Sequence, residues 1–460
     1  MFIRQLFIII LLLLTIADRS YSCSLDEELA YTPVKINRKQ SKLKNIAKLV
    51  KVLEIPKILQ ARTIRFGDLT GDGSANLIIV QNSRKRDITH IGAFDLDLNL
   101  QWTWGIPSNE NLHIPSDLPI QIYDWNNDGK QDVIFIANDK INILNGEDGS
   151  LLLENNLVNK EHRDAILIAN LIEKDFPAII TKSRYTSFAV YDHNLKLRYS
   201  DYTNTGHYPM AYDFDNDEID ELLIGYSLYK IPNINEVPIS GSIGLVWRNR
   251  NLKRHNDAVD IGDMNNDGIP EISIAASKDG YLLSPTGKIL RKIPMLHAQH
   301  TTLGYFGKSN KKQFAAYVDR QAKGIVYIAD SSGRIRYKSE QQGEITIISS
   351  VKGWTGKKGQ EYLLLFRRDN IAPQMINAKG RVIASFPFEP AIESRRNYGR
   401  HYAQHFDIMG DCREEIIIYN EEAIYIYSNP KDVSTDFQCE TEEPLVNKRL
   451  YRASFYSGFQ

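Results

Sequence analysis

The chain is predicted to be all-β, an eight-bladed β-propeller with a seven-bladed ring as the alternative, on three observations. An oxygen-rich loop recurs before β-branched strands, a second kind of hairpin lies between those loops, and the units repeat about every 45–50 residues. The loop is clearest in Ile122 to Ile136, IYDWNNDGKQDVIFI, where Asp124, Asn126, Asp128 and Asp132 stand at positions one, three, five and nine, with Gly129 at six. Ca²⁺ takes several oxygen ligands, and glycine permits the sharp turn that points them inward. An EF-hand would carry glutamate at position twelve between two helices. Here Phe135 stands there, inside a run that reads as a strand.

In chain order the same loop appears in FGDLTGDGSANLIIV with Asp68, Thr70, Asp72 and Asn76. It returns in AYDFDNDEIDELLIGY with Asp213, Asp215, Asp217 and Glu221, where Glu218 replaces the glycine. IGDMNNDGIPEISIAA supplies Asp263, Asn265, Asp267 and Glu271. HFDIMGDCREEIIIY keeps Asp407, Asp411 and Glu415, but Met409 at position three offers no oxygen. These loops make Ca²⁺ the expected cofactor, with the Asp213 loop as the strongest site and the Asp407 loop as the weakest. The competing expectation is a turn kept for its geometry, since Asp, Asn and Gly favour turns without any ion.

Between the loops, segments such as INILNGEDGSLLLEN and IVYIADSSGRIRY read as strand, turn and strand. The loops begin at 68, 124, 213, 263 and 407, so the intervals are 56, 89, 50 and 144 residues. Two intervals divide evenly into shorter units, which places degenerate repeats in Ile166 to Lys182, Leu303 to Val318 and Val351 to Phe366. Five loops and three degenerate copies make eight units.

Composition bounds the rest. Of 460 residues, 42% are hydrophobic and 25% charged, so the chain is globular, and a net charge of −1 argues against a nucleic-acid partner. Arg4, an apolar run from Leu6 to Ala17 and the small residues Ser20 and Ser22 read as a secretory signal. The expected division is a signal peptide at 1–22, an N-terminal segment at 23–60, the propeller at 61–430 and a closing segment at 431–460. Export places the protein in the periplasm, at the cell surface or outside the cell, with Cys23 as the one candidate for a lipid anchor. Cys412 and Cys439 are either a disulfide or a buried residue and a tail thiol. No G-x-S-x-G, Walker loop, H-E-x-x-H or paired CxxC occurs.

Loop, strand and DxxG hairpin in repetition resemble the FG-GAP and VCBS calcium propellers. Several segments further resemble the catalytic propeller of bacterial rhamnogalacturonan lyases. DIMGDCREEIIIY is similar to that family's D-x-x-GDWREE, with Cys412 in place of tryptophan. RHNDAVDIGDMNNDG is similar to GHGDALHVGDLDPD at His255 and Asp257. GHYPMAYDFDNDEIDELLIG is similar to GNHNLSVADVDGDGKDEIIYG at His207, and PIQIYDWNNDGKQDV to QVYDLDGDGKAEV. The resemblance implies an exported protein that binds or cleaves acidic polysaccharide. Cleavage by β-elimination needs a base and a group that stabilises the enediolate. The candidates are His255, His207, Arg254 and Tyr208, with Lys182, Arg184 and Tyr185 on another blade; the competing reading makes the histidines structural. Arg413, Glu414 and Glu415 are expected to form one salt-bridge network, and the tryptophans either sugar platforms or inter-blade packing. The second functional reading is a non-catalytic FG-GAP/VCBS propeller that presents its face to a protein or glycan, favoured by the Cys412 departure.

Overall fold

The computed structural model describes residues 47–430 apart from 62, 84–86, 109–117, 234–238, 242, 253, 308–311, 341–344, 358, 368–371 and 390–400. The signal peptide, Cys23, Cys439 and the 431–460 segment lie outside the described residues.

Eight sheets follow one another along the chain, seven of four antiparallel strands and one of five, whose added strand Ile239–Ser240 pairs parallel to Leu197–Tyr202. Their first strands are Thr63–Gly67, Ile120–Tyr123, Ala165–Glu173, Met210–Tyr212, Ala258–Gly262, Ala298–Gly304, Ile345–Val351 and Tyr402–Phe406, which open blades 1 to 8. From blade 1 through blade 7, each first strand touches the next, so these strands form the inner wall of a ring. The ring closes where Phe66 of blade 1 stacks on Phe406 of blade 8, centroids 6.3 Å apart. The architecture is therefore an eight-bladed all-β propeller. Among the described residues the one helical element is a single 3₁₀ turn, Lys57–Leu59.

The second strands explain why no blade stands alone. Asp132–Ala137 and Glu415–Tyr419 are buried at every residue, so both of their faces must be covered by neighbouring sheets. One apolar cluster joins blades 1 and 2 through Ile78, Val80, Ile120 and Val133, and another joins blades 4 and 5 through Leu223, Ile261 and Ile274. Full burial of each such side chain contributes roughly 1.5–3 kcal/mol, which only an adjacent blade can supply.

The three degenerate repeats are where the interval arithmetic puts them. Ala165–Glu173 and Phe176–Lys182 open blade 3 through a tight turn at Asp175 (φ 62°). Ala298–Gly304 with Phe314–Asp319 opens blade 6, and Ile345–Val351 with Tyr362–Arg367 opens blade 7. The propeller also begins earlier than residue 61. Lys48–Glu54 pairs antiparallel with Ala423–Ser428 and becomes the outer strand of blade 8, so the N-terminal segment fastens the ring.

Side chains also staple neighbouring blades. Position eight of several loops accepts a backbone N–H from the preceding blade: Gln131 Oε1 from Asp68 at 2.9 Å, Asp220 Oδ2 from Asn170 at 3.0 Å, and Glu414 Oε2 from Lys352 at 2.6 Å. The approach at Gln131 is so close that a Cβ on Gly67 would lie 2.4 Å from its Oε1. Trp102 packs over Gly149 and donates to Gly146 O, and Trp247 packs over Gly287 and donates to Pro285 O. Both therefore take the inter-blade role. Arg413, Glu414 and Glu415 do not form one network. Arg413 pairs with Asp411, Glu414 binds the Lys352 N–H and His405 Nδ1 (2.9 Å), and Glu415 accepts from Ile408 and Met409. Cys412 is disulfide-bonded.

Candidate functional site

All five acidic loops share one backbone. Positions four and six are left-handed: Gly71 and Gly73, Asn127 and Gly129, Asn216 and Glu218, Asn266 and Gly268, Gly410 and Cys412. The position-one carboxylate accepts the N–H of position six in each, for example Gly129 N to Asp124 Oδ2 at 3.1 Å. The position-nine side chain accepts the N–H of position two: Leu69 to Asn76, Trp125 to Asp132, Phe214 to Glu221, Met264 to Glu271 and Ile408 to Glu415. Because the Asp407 loop keeps this pattern with Met409 pointing to solvent, hydrogen bonds alone do not separate a cation site from a turn.

Charge compensation does separate them. In the Asp124 loop Asp132 is fully buried, its Oδ1 accepts no well-formed hydrogen bond, and burial pushes its carboxyl up to about 7. Burial likewise raises Asp124. Asp124, Asn126, Asp128 and Asp132 are the residues that would hold a hard cation here, although the tighter carboxylate cluster among the described residues is Asp213, Asp215 and Glu221, with oxygens within 4.8 Å of one another. The Asp68 and Asp263 loops keep the ligand types but differ in detail: Asn76 at position nine is a neutral amide, and in the other loop Asn265 Nδ2 donates to Glu271 Oε1 at 2.9 Å. The Asp213 loop differs. Lys230 Nζ lies 2.5 Å from Asp215, 2.7 Å from Asp217 and 3.0 Å from Glu221, so an ammonium already meets that loop's charge. In the Asp407 loop the Arg413 guanidinium does the same for Asp411.

The predicted catalytic residues gather elsewhere. His207 and Tyr208 precede the first strand of blade 4, and Arg254, His255 and Asp257 that of blade 5. The acidic loops follow the same strands. Although close in sequence, the two sets stand at opposite ends of the inner wall, about 17 Å apart for a five-residue strand.

At this second end four blades contribute. The imidazoles of His207 and His255 stack at 4.9 Å with 12° between their planes. Tyr185, from the turn that follows Lys182 in blade 3, places its hydroxyl 2.7 Å from His207 Nε2 and its ring 4.9 Å from that of His255. Asp257 lies beneath: its Oδ1 is 3.4 Å from His255 Nε2 and 3.7 Å from His207 Nδ1, and its Oδ2 is 3.7 Å from His297 Nε2. Ser277 Oγ donates to Asp257 Oδ2 at 2.8 Å, and Gln299 Nε2 to Oδ1 at 3.2 Å. Beside them Asp164 pairs with the buried Lys182, and Arg184 Nε reaches its other oxygen at 2.8 Å.

Burial, reinforced by Arg184, pushes His207 down to about 3, so its imidazole is neutral at physiological pH. Burial alone would raise Asp257, but the facing imidazoles of His255, His297 and His207 hold it well below the usual carboxylate range. Tyr185 and His255 are the accessible groups, 39% and 28% exposed, whereas His207 is buried. Tyr208 is 2% exposed, edge-on to His207, and out of reach of a polymer. Arg254 is exposed at the rim in a left-handed conformation (φ 67°).

Sequence reasoning found His207, His255, Lys182, Arg184 and Tyr185. It missed Asp164, Ser277, His297 and Gln299. A signal was present: His162, His207, His255 and His297 recur at 45, 48 and 42 residues, close to the blade period, each just before a first strand.

No family model and no curated protein matches this chain. Solved structures do. It is similar to the exotype rhamnogalacturonan lyase YesX, at 17% identity and TM-score 0.60 over 85% of this chain and 76% of that one. It is similar to a rhamnogalacturonan lyase of Bacillus licheniformis, at 16% and 0.52 over 85% and 76%. It is also similar to the V. cholerae biofilm matrix protein Bap1, at 11% and 0.61 over 90% and 99%. At these identities the likeness establishes the propeller fold.

Proposed function

We propose that the protein is an exported, calcium-stabilised propeller that engages an acidic polysaccharide at its histidine end and cleaves it by β-elimination. The carrying observation is the convergence of Tyr185, His207, His255 and Arg184 over Asp257. β-Elimination removes the proton next to a uronate carboxylate, so it needs a cation at the carboxylate and a base within hydrogen-bond reach of the carbon acid. Arg184 and Arg254 supply positive charge to the polymer. Tyr185 and His255 are the accessible groups able to take the proton, and the buried His207 and Asp257 orient them. The similarity to two rhamnogalacturonan lyases supports a galacturonate-containing polymer.

The test is incubation with rhamnogalacturonan and calcium, following the ultraviolet absorbance of the unsaturated uronate. The expected result is a signal that Tyr185→Phe and His255→Ala each abolish in a folded protein. Retained polymer binding without any signal would leave the second reading, a glycan-binding propeller of the FG-GAP/VCBS kind, which the similarity to a matrix protein favours.

A further inference from the structure

We infer that the outer rim of blades 5, 6 and 7, at the end that carries the acidic loops, is a second contact surface for a linear, carboxylate-bearing polysaccharide. One repeated hairpin carries the inference. The turn between third and fourth strands reads SPTGK in blade 5, DSSGR in blade 6 and NAKGR in blade 7, so Lys288, Arg334 and Arg381 recur at 46 and 47 residues. The three turns share one backbone. Gly287, Gly333 and Gly380 are left-handed at φ 75°, 75° and 73°, and their N–H groups donate to Ser284 O at 2.9 Å, Asp330 O at 2.7 Å and Asn377 O at 2.8 Å. The carbonyl of each following cation accepts from the first residue of its turn, at 2.9, 3.1 and 3.1 Å. Its side chain is exposed in every copy, as is that of Lys379.

The turn itself does not require these cations. The corresponding hairpins carry Asp95 and Asp97 in blade 1 and Glu147 and Asp148 in blade 2, so charge divides the rim into an acidic and a basic sector. Cations on edge strands deter pairing with another sheet, but these stand on turns. Arg336 is held by Asp330, whereas no ion pair among the described residues holds Lys288, Arg334, Lys379 or Arg381. Contacts between blades make the sector continuous. The Arg291 stem of blade 5 lies against Gly333 and its Nε donates to Ser332 O, and the Tyr337 ring of blade 6 lies against Gly380. Stacked sheets stand about 10 Å apart, so the cations spread over roughly 20 Å of rim. First and third strands run the same way, which puts these turns at the end that bears the exposed Asp72, Asp128, Asp217 and Asp267. A flat anionic bilayer would meet those carboxylates too, whereas a linear polyanion can follow the basic turns alone. The polymer class rests on the polysaccharide reading of the histidine end. One exposed ion pair contributes little, so a short oligosaccharide that meets a single turn is not held, and a chain spanning three turns is.

The experiment is calorimetric titration of polygalacturonate into full-length protein at low and at physiological salt, without added calcium. Lys288→Gln, Arg334→Gln and Arg381→Gln combined should weaken polymer binding roughly tenfold at low salt and flatten its salt dependence, because fewer counterions are released. Binding of a galacturonate trisaccharide should not change, which also shows that the variant is folded. Lys57→Gln, Lys174→Gln and Lys196→Gln combined remove the same charge from exposed positions elsewhere and should leave polymer binding as in the native chain. Unchanged polymer affinity in the first variant, or an equal loss in the second, would overturn the surface. So would binding to phosphatidylserine vesicles that the first variant loses to the same extent. The first variant's substitutions should weaken polymer binding by the same factor when added to Tyr185→Phe with His255→Ala. Failure at the rim and failure at the histidine end are therefore read separately.

Discussion

Asp132→Asn should reverse its effect on stability with calcium. The native side chain is fully buried, Oδ2 accepts the Trp125 N–H at 3.0 Å, and burial raises the carboxyl from 3.8 to about 7. A raised native value means stability that is complete below pH 4 and is lost as pH climbs through 7. At pH 8 the calcium-free protein therefore carries an ionised Asp132 at a cost on the order of 4 kcal/mol, taken as a ceiling. Asparagine keeps an acceptor for Trp125 and removes the charge. Without calcium the variant should thus melt above the native protein at pH 8 and beside it near pH 4. A bound cation inverts the order: at a hundredfold excess over Kd it adds about 2.7 kcal/mol to the native protein, most of which the variant forgoes at this loop. For a propeller of this size roughly 1 °C corresponds to each kcal/mol, so the crossing is within reach of calorimetry. A variant that melts below native protein in chelator at pH 8, or gains as much from calcium, would refute the reasoning.

Other perturbations follow from the same contacts. Lys230→Met removes the ammonium from Asp215, Asp217 and Glu221, and calorimetry should then count one more bound calcium per chain than in native protein. Glu218 adopts φ 71° where the other loops mostly use glycine, so Glu218→Gly should raise stability by about 1 kcal/mol in denaturant titration. Gln131→Leu leaves the Asp68 N–H without its acceptor and should cost about 1–3 kcal/mol, with faster amide exchange in blades 1 and 2 than in blades 5 and 6.

Much of the fold was legible because each acidic loop does local work. Asp124, Gly129 and Asp132 close a turn with their own neighbours, so sequence and structure report the same thing there. Blades 3, 6 and 7 had lost those carboxylates and were recovered only by interval, since a ring cannot skip a unit. Lys48–Glu54 escaped because its partner lies more than 360 residues away and its mostly half-buried, lysine-bearing pattern carries no strand period. At the histidine end the reverse holds. Asp164, His297 and Gln299 each look like isolated polar residues, and the ring alone brings them together across blades 3 to 6. The Asp213 loop has the fullest carboxylate set, yet its character depends on Lys230, nine residues beyond Glu221 on the third strand's end.

We place the proposed function at the histidine end of the inner wall. The most direct test is calorimetric titration of a galacturonate-containing oligosaccharide into three proteins: native, Tyr185→Phe with His255→Ala, and Asp263→Asn at the opposite end. The double variant should lose binding, while Asp263→Asn, in a folded protein, should bind as the native chain does. Undiminished binding by the double variant, or loss confined to Asp263→Asn, would place the function at the other face.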